Sequence, residues 1–195
     1  MKKITLILLV SAIYFMLVKS FISIYLADTY YTRSRDLVGD VEFSDALKFA
    51  NKALEQNPLE PAYYRGRAKI LTLSALYSLK EADRRSLKKA AYGDLQNAFK
   101  LNANNLATIR NSVPLYYYLS LKTLDGDNKD LDQEYLQKAR DFFAFIEKEY
   151  PHDVGALVDV AKYQKKLGLT EDLNVTLKMI SNLRADLLDW NEDLR

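Results

Sequence analysis

The chain opens on a nearly unbroken apolar run. Lys2 and Lys3 precede positions 4–18, which are apolar apart from Thr5 and Ser11; after Lys19 and Ser20 the pattern resumes as Phe21-Ile22-Ser23-Ile24-Tyr25-Leu26. At ~1.5 Å per residue, positions 4–18 span about 22 Å, short for a hydrocarbon layer of about 30 Å. Positions 4–26 span about 34 Å and predict a transmembrane helix with some tilt. Beyond it the period changes, and apolar residues recur every three to four positions, the spacing of one helix face. The clearest unit covers 154–185. Leu157, Val160, Ala161 and Leu167 mark one side of a first helix, Lys162, Lys165 and Lys166 crowd its last turn, and Gly168 follows as the stop. Thr170 is expected to cap a second helix, with Glu171 and Asp172 in its first turn and Leu173, Leu177 and Ile180 as its stripe. Two short helices leave one face of each open, so the pair needs neighbours of its own kind.

Those neighbours lie upstream. A small or aliphatic residue, another seven later and a helix-ending residue five further on recur as Ala46/Ala53/Pro58, Ala91/Ala98/Ala103, Ala139/Ile146/Pro151 and Leu173/Ile180/Ala185. Residues seven apart share a helix face, and small side chains there let a second helix approach closely. The first members are 45, 48 and 34 residues apart. The last interval is the tetratricopeptide period; the others fit it with insertions of 11 and 14 residues. With Ala-x3-Phe at Ala139 and Phe143, small residues Ser34, Gly66 and Ala161 inside the first helices, and prolines closing two units, the chain resembles a tetratricopeptide-repeat (TPR) protein. The family's Trp is missing from all four units, and Leu173 replaces an alanine in the last. The competing reading is an irregular helical bundle with chance spacing. The expected fold is therefore all-α: a transmembrane anchor over 1–27, then a TPR-like α-solenoid of about four helix pairs over 28–195.

The first repeat, 27–58, carries Tyr30, Tyr31, Ser34 and Leu37 on its entry helix. Gly39-Asp40 is the expected turn, and Phe43, Ala46, Leu47, Ala50, Ala53 and Leu54 form the next stripe. No Gly/Ser/Pro linker separates it from the anchor, so it is expected close to the bilayer. From Ala27 to Leu54, with Gly39-Asp40 and the Asn57-Pro58 ending, the chain resembles the region after the last membrane helix of some bacterial O-antigen ligase or polymerase-like proteins. The multi-span catalytic region of that family has no counterpart here. The second repeat, 59–103, has Pro61 at a first helical position and Gly66 for close contact. Its insertion carries Lys80, Arg84, Arg85, Lys88 and Lys89, read as a solvated face offset by Glu81 and Asp83, with contact to anionic lipid as the alternative. In the third, 104–151, Pro114 is expected to kink or restart a helix. Tyr116, Tyr117 and Tyr118 are read as packing, with sugar stacking as the alternative. Positions 125–130 look like a calcium loop only superficially, since Lys129 takes a ligand slot; a turn with Asp130 as N-cap and Gln133 three later is simpler. Trp190 is placed over the open end of the stack.

With 49% hydrophobic residues, 6 Gly and 4 Pro in 195, the chain can bury one sizeable core. Cysteine is absent, which removes disulfides and thiolate chemistry. The single His152 follows Pro151 without clustered partners and reads as a loop histidine. No phosphate loop, nucleophile-base pair or metal spacing is present, so neither an enzyme nor a cofactor or metal is expected. The 28 Lys and Arg less Lys2, Lys3 and Lys19 leave 25 bases against 26 acids, a balance that gives no case for nucleic acid. Lys2 and Lys3 before the apolar run, against a far flank that opens with Asp28 and offers Arg33 and Arg35 a little later, place the N-terminus in the cytoplasm and the repeats outside it as a single-pass protein. A cleaved signal peptide, with Val18-Lys19-Ser20 as the site, is the competing reading; the apolar residues beyond that site favour an uncleaved anchor.

Repeat stacks expose a concave surface suited to binding. The TPR resemblance implies that the first helix of each pair lines it. Counting from Ser34, Gly66 and Ala161, the outward positions are Tyr31 and Arg35, Tyr63 and Arg67, and Lys162 and Lys165; the third unit offers Arg110 and Tyr117. Aromatic and basic side chains so grouped predict a protein partner presenting an acidic segment or a free carboxylate. The expected function is a membrane-anchored scaffold for protein–protein interaction outside the cytoplasm. The alternative, implied by the ligase and polymerase resemblance, is an accessory or split-off C-terminal part of a membrane glycan ligase or polymerase, with that membrane protein as partner.

Overall fold

The computed structural model describes the backbone over residues 2–124 and 130–190. Positions 125–129 of the superficially calcium-like stretch 125–130, and the side chain of Trp190, lie outside what it describes. Nine helices account for nearly all of it: α1 (Lys2–Gly39), α2 (Phe43–Gln56), α3 (Pro61–Tyr77), α4 (Glu81–Leu101), α5 (Leu106–Ser120), α6 (Gln133–Glu149), α7 (Val154–Lys166), α8 (Thr170–Arg184) and the short α9 (Asp186–Trp190). They form four pairs, α1/α2, α3/α4, α5/α6 and α7/α8, and the first helices touch in succession, α1 on α3, α3 on α5 and α5 on α7. The fold is all-α, with one N-terminal helix long and apolar enough to cross a membrane.

The seven-apart pattern falls on the second helices. Ala46, Ala53, Ala91, Ala98, Ala139, Ile146 and Ile180 are all fully buried, while Leu173 at the open end is only half-buried. The helix ends follow from local chemistry. Pro61 sits in the first turn of α3, where its missing N–H costs nothing, and Glu60 accepts from the Ala62 N–H at 3.0 Å. Asn105 and Asp153 cap α5 and α7 in the same way. Gly168 takes φ 69°; its N–H bonds to the Lys165 carbonyl and the Leu169 N–H to that of Gln164, the two bonds of a Schellman stop.

Overpacking tests the seam. Ala98→Leu inserts three carbons where no space is exposed, and should cost about 1–3 kcal/mol. Exposed Asn174→Ala should cost under ~0.5 kcal/mol. Equal thermal melting of the two would contradict the packing of α4.

Three local expectations are corrected. Thr170 is the first residue of α8, not its cap; the cap position is Leu169. Asp130 does not cap α6 either: Asp132 holds that position, and Asp130 instead accepts from Lys122 at 2.5 Å. Helix α5 runs through Pro114 without a break. The turn expected at Gly39-Asp40 follows directly on α1, with Val41 in the left-handed region at φ 63°.

The domain boundary expected at 27/28 is no break in the chain path. Helix α1 is continuous for 38 residues, about 57 Å. What changes there is its surroundings: large apolar side chains from Ile4 to Tyr25 are exposed, whereas Ala27 is fully buried against the first pair.

Candidate functional site

The first helices line a concave groove. Its main cavity, about 890 Å³, is bounded by Tyr31 and Arg35 on α1, Arg65 and Lys69 on α3, Asn111, Pro114 and Tyr118 on α5, and Tyr163 on α7. A second cavity of about 410 Å³ shares Asn111, Pro114 and Tyr163 and adds Arg110, Asp159 and Lys162. Together they make one channel crossing all four pairs.

Close approach of the first helices shapes it. The Tyr31 ring lies on Gly66, where an added Cβ would come within 2.3 Å of the ring; Arg110 lies likewise on Gly155, within 2.7 Å. Positions 111, 114, 115 and 118 are spaced as one face of α5, so Pro114 faces the channel rather than a neighbouring helix. The Arg35 guanidinium stands 5.9 Å from the Tyr31 ring centroid. Burial raises the Tyr31 hydroxyl above its ordinary value, and burial lowers the Arg65 guanidinium; each sits in a partly dry wall. Counted over both cavities, the bases Arg35, Arg65, Lys69, Arg110 and Lys162 face the acids Asp36 and Asp159. Across the second cavity Arg110 donates to Asp159 at 2.8 Å.

Of the residues expected to face outward, Tyr31, Arg35, Arg110 and Lys162 line the channel. Tyr63 and Arg67 do not. Tyr63 is buried, its hydroxyl donating to Asp28 at 2.5 Å, and Arg67 turns toward the second-helix layer to pair with Asp94. Tyr117 is buried behind the wall, 5.1 Å from the Tyr163 ring. Lys165 is exposed on the last turn of α7 without bordering either cavity.

The slip on α3 has a simple origin. The residue equivalent to buried Ser34 is Ala68, fully buried, and not Gly66. The same offsets of −3 and +1 that give Tyr31 and Arg35 from Ser34 give Arg65 and Lys69 from Ala68. A two-residue error rotates the assignment by about 200° around a helix. Tyr118 and Tyr163 also line the channel, beyond the residues expected there; the signal for Tyr118 is the i, i+3, i+4, i+7 spacing of 111, 114, 115 and 118 through Pro114.

The basic run of the insertion is also not a uniform solvated face. Lys88 is buried, its ammonium donating to the Leu121 carbonyl at 2.7 Å and to Asp132 at 2.9 Å. Tyr116 stacks on Phe142 with centroids 4.1 Å apart, which is packing. No protein-family model matches the chain, and no curated protein matches it.

Proposed function

We propose that the protein is a membrane-anchored repeat scaffold of the tetratricopeptide type, holding an acidic polypeptide segment in its concave channel outside the cytoplasm. The observation that carries this reading is the channel wall itself: three long bases, Arg35 on α1 and Arg65 and Lys69 on α3, share one cavity with the rings of Tyr31, Tyr118 and Tyr163. Guanidinium and ammonium groups hold carboxylates by charge-assisted hydrogen bonds, and rings flank the apolar parts of an extended peptide. Four stacked helix pairs provide a rigid support for such a surface. Helix α1 supplies the anchor, and Lys2 and Lys3 ahead of the apolar run support a cytoplasmic N-terminus.

The test uses the full chain in detergent and a fluorescent nonapeptide of alternating Glu and Leu, read by anisotropy. Binding should weaken as salt rises. Reversing Arg35, Arg65 and Lys69 together to Glu should weaken it at least tenfold while the circular dichroism spectrum is unchanged. Undiminished affinity in the triple variant, or equal binding of a Lys/Leu peptide, would sink the channel reading.

A further inference from the structure

Helix α1 carries the apolar segment and the first helix of the array without a linker, so the height of the array above a bilayer is fixed by the helix itself. Helix α2 runs back down α1 far enough for the Ser23 hydroxyl to donate to the Gln56 side chain at 3.0 Å. A primary amide is costly in hydrocarbon, so the level of Ser23 marks the outer limit of the apolar layer. From Ile4 to Ser23 the helix rises about 30 Å, the thickness of that layer, with no surplus length for tilt.

The neighbouring turn lies at the same level. Helix α3 runs parallel to α1 with a constant offset of 35 residues, Tyr63 opposite Asp28 and Gly66 under Tyr31. Pro61 is thereby level with Leu26, and the turn before it reaches down to the level of Ser23. At the tip of that turn Leu59 is 74% exposed. Helix α4 ends nearby: Asp94 is bonded to Arg67, and Leu101, seven residues further down, is also exposed. On α1 itself Phe21 and Tyr25 project outward at this height, as aromatic side chains do at a membrane–water boundary.

We propose that this edge of the array rests in the lipid headgroup layer, with Leu59 inserted at the boundary of the acyl chains. The inference rests on α1 being a membrane anchor. A bilayer is the occupant favoured here because the continuous helix places the edge against it whatever the partner in the channel. One consequence concerns that partner. Tyr31 and Gly39 stand 8 and 16 residues above Ser23, so the channel lies about 12–24 Å above the hydrocarbon, within reach of the juxtamembrane segment of another membrane protein.

The absence of cysteine makes the test direct. Single variants Phe15→Cys, Leu59→Cys and Leu79→Cys, each of the full chain, are labelled with an environment-sensitive fluorophore. They are then reconstituted in phosphatidylcholine vesicles containing lipids with a nitroxide near the headgroup or, for position 15, deep in the acyl chain. Leu79 is 99% exposed on the opposite edge, in the turn after α3, and serves as the aqueous reference. Quenching at position 59 should be at least fivefold that at position 79, with a blue-shifted emission, and position 15 should also be quenched. If position 15 is quenched and position 59 behaves like 79, the edge stands in water or under a protein and the proposal fails alone. If position 15 is unquenched, the anchor reading fails and takes this proposal with it.

Discussion

Arg67→Glu should lower the melting temperature of the array by at least 6–12 °C, whereas Arg35→Glu should leave it unchanged within a degree or two. Both are arginines on first helices, but only one lines the channel. The Arg67 guanidinium donates two parallel bonds to Asp94, at 2.8 and 2.7 Å, and a third to the Asn51 side chain at 2.9 Å. It thereby ties α2, α3 and α4 together across the first and second pairs. The Asp94 carboxylate is buried, and the hydrogen bonds it accepts raise the Arg67 guanidinium above its ordinary value. Breaking a buried pair leaves the other charge without compensation, a loss of roughly 3–5 kcal/mol. Arg67 is partly exposed, so the lower end, about 3 kcal/mol, applies to its truncation; reversal adds repulsion between two carboxylates. For a domain of this size ~1 kcal/mol moves the melting point by about 2–4 °C. Arg35 is exposed and its cation–π contact with Tyr31 is of the weak, solvated kind. Thermal melts followed at 222 nm read both variants. A benign Arg67→Glu would mean that Arg67, and not Arg65, faces the channel.

The contrast between those two arginines shows what a sequence pattern carries in this chain. The pairs were legible because their seam repeats: small or aliphatic side chains seven apart on α2, α4 and α6 meet the same steric demand each time, and every one of them is buried. The channel was legible only in part. On α1 the seam residue Ser34 is unambiguous, and Tyr31 and Arg35, counted from it, border the cavity. On α3, glycine and alanine two positions apart, Gly66 and Ala68, both satisfy "small". Nothing local distinguishes the one that receives a ring from the neighbouring first helix from the one that packs beneath its own pair.

Contacts made over long separations were not legible at all. A lysine amid Arg84, Arg85 and Lys89 reads as solvated, and the acid that buries Lys88 lies 44 residues away. Asp130 and Asp132 both precede α6, and the pattern of capping chose the wrong one. The backbone bonds of the connection decide it: Leu121 bridges Leu131, and the Asp132 N–H donates to the Ser120 carbonyl, which aims the Asp132 side chain back at α4. Its carboxylate serves Lys88 and makes no capping bond.

Asp132→Ala should therefore be among the most damaging single changes in the protein, costing about 3–5 kcal/mol at pH 7, although Asp132 is itself partly exposed. The damage comes from what it leaves behind. The Lys88 side chain is 1% exposed, and without Asp132 its ammonium keeps only the Leu121 carbonyl and the face of the Tyr135 ring, 5.1 Å away. Burial already holds the Lys88 amine below its ordinary value, against the opposing pull of Asp132, and removing the acid lowers it further. The sign of the pH dependence follows. Between the depressed folded value and the ordinary lysine value the unfolded chain binds more protons, so stability rises with pH through that window. Asp132→Ala should thus recover part of its loss at pH 9.5. Lys88→Met removes the charge and keeps most of the volume; Asp132 can then turn to water or to the N-terminus of α6, and the cost should be under about 1.5 kcal/mol. The double variant Lys88→Met with Asp132→Ala should lie close to Lys88→Met and show no recovery at pH 9.5. Denaturant unfolding of the full chain in detergent at pH 7 and 9.5 measures all four proteins. A loss below ~1 kcal/mol for Asp132→Ala, or a double variant no more stable than it, would show that Lys88 reaches water and does not fasten the 121–132 connection to α4.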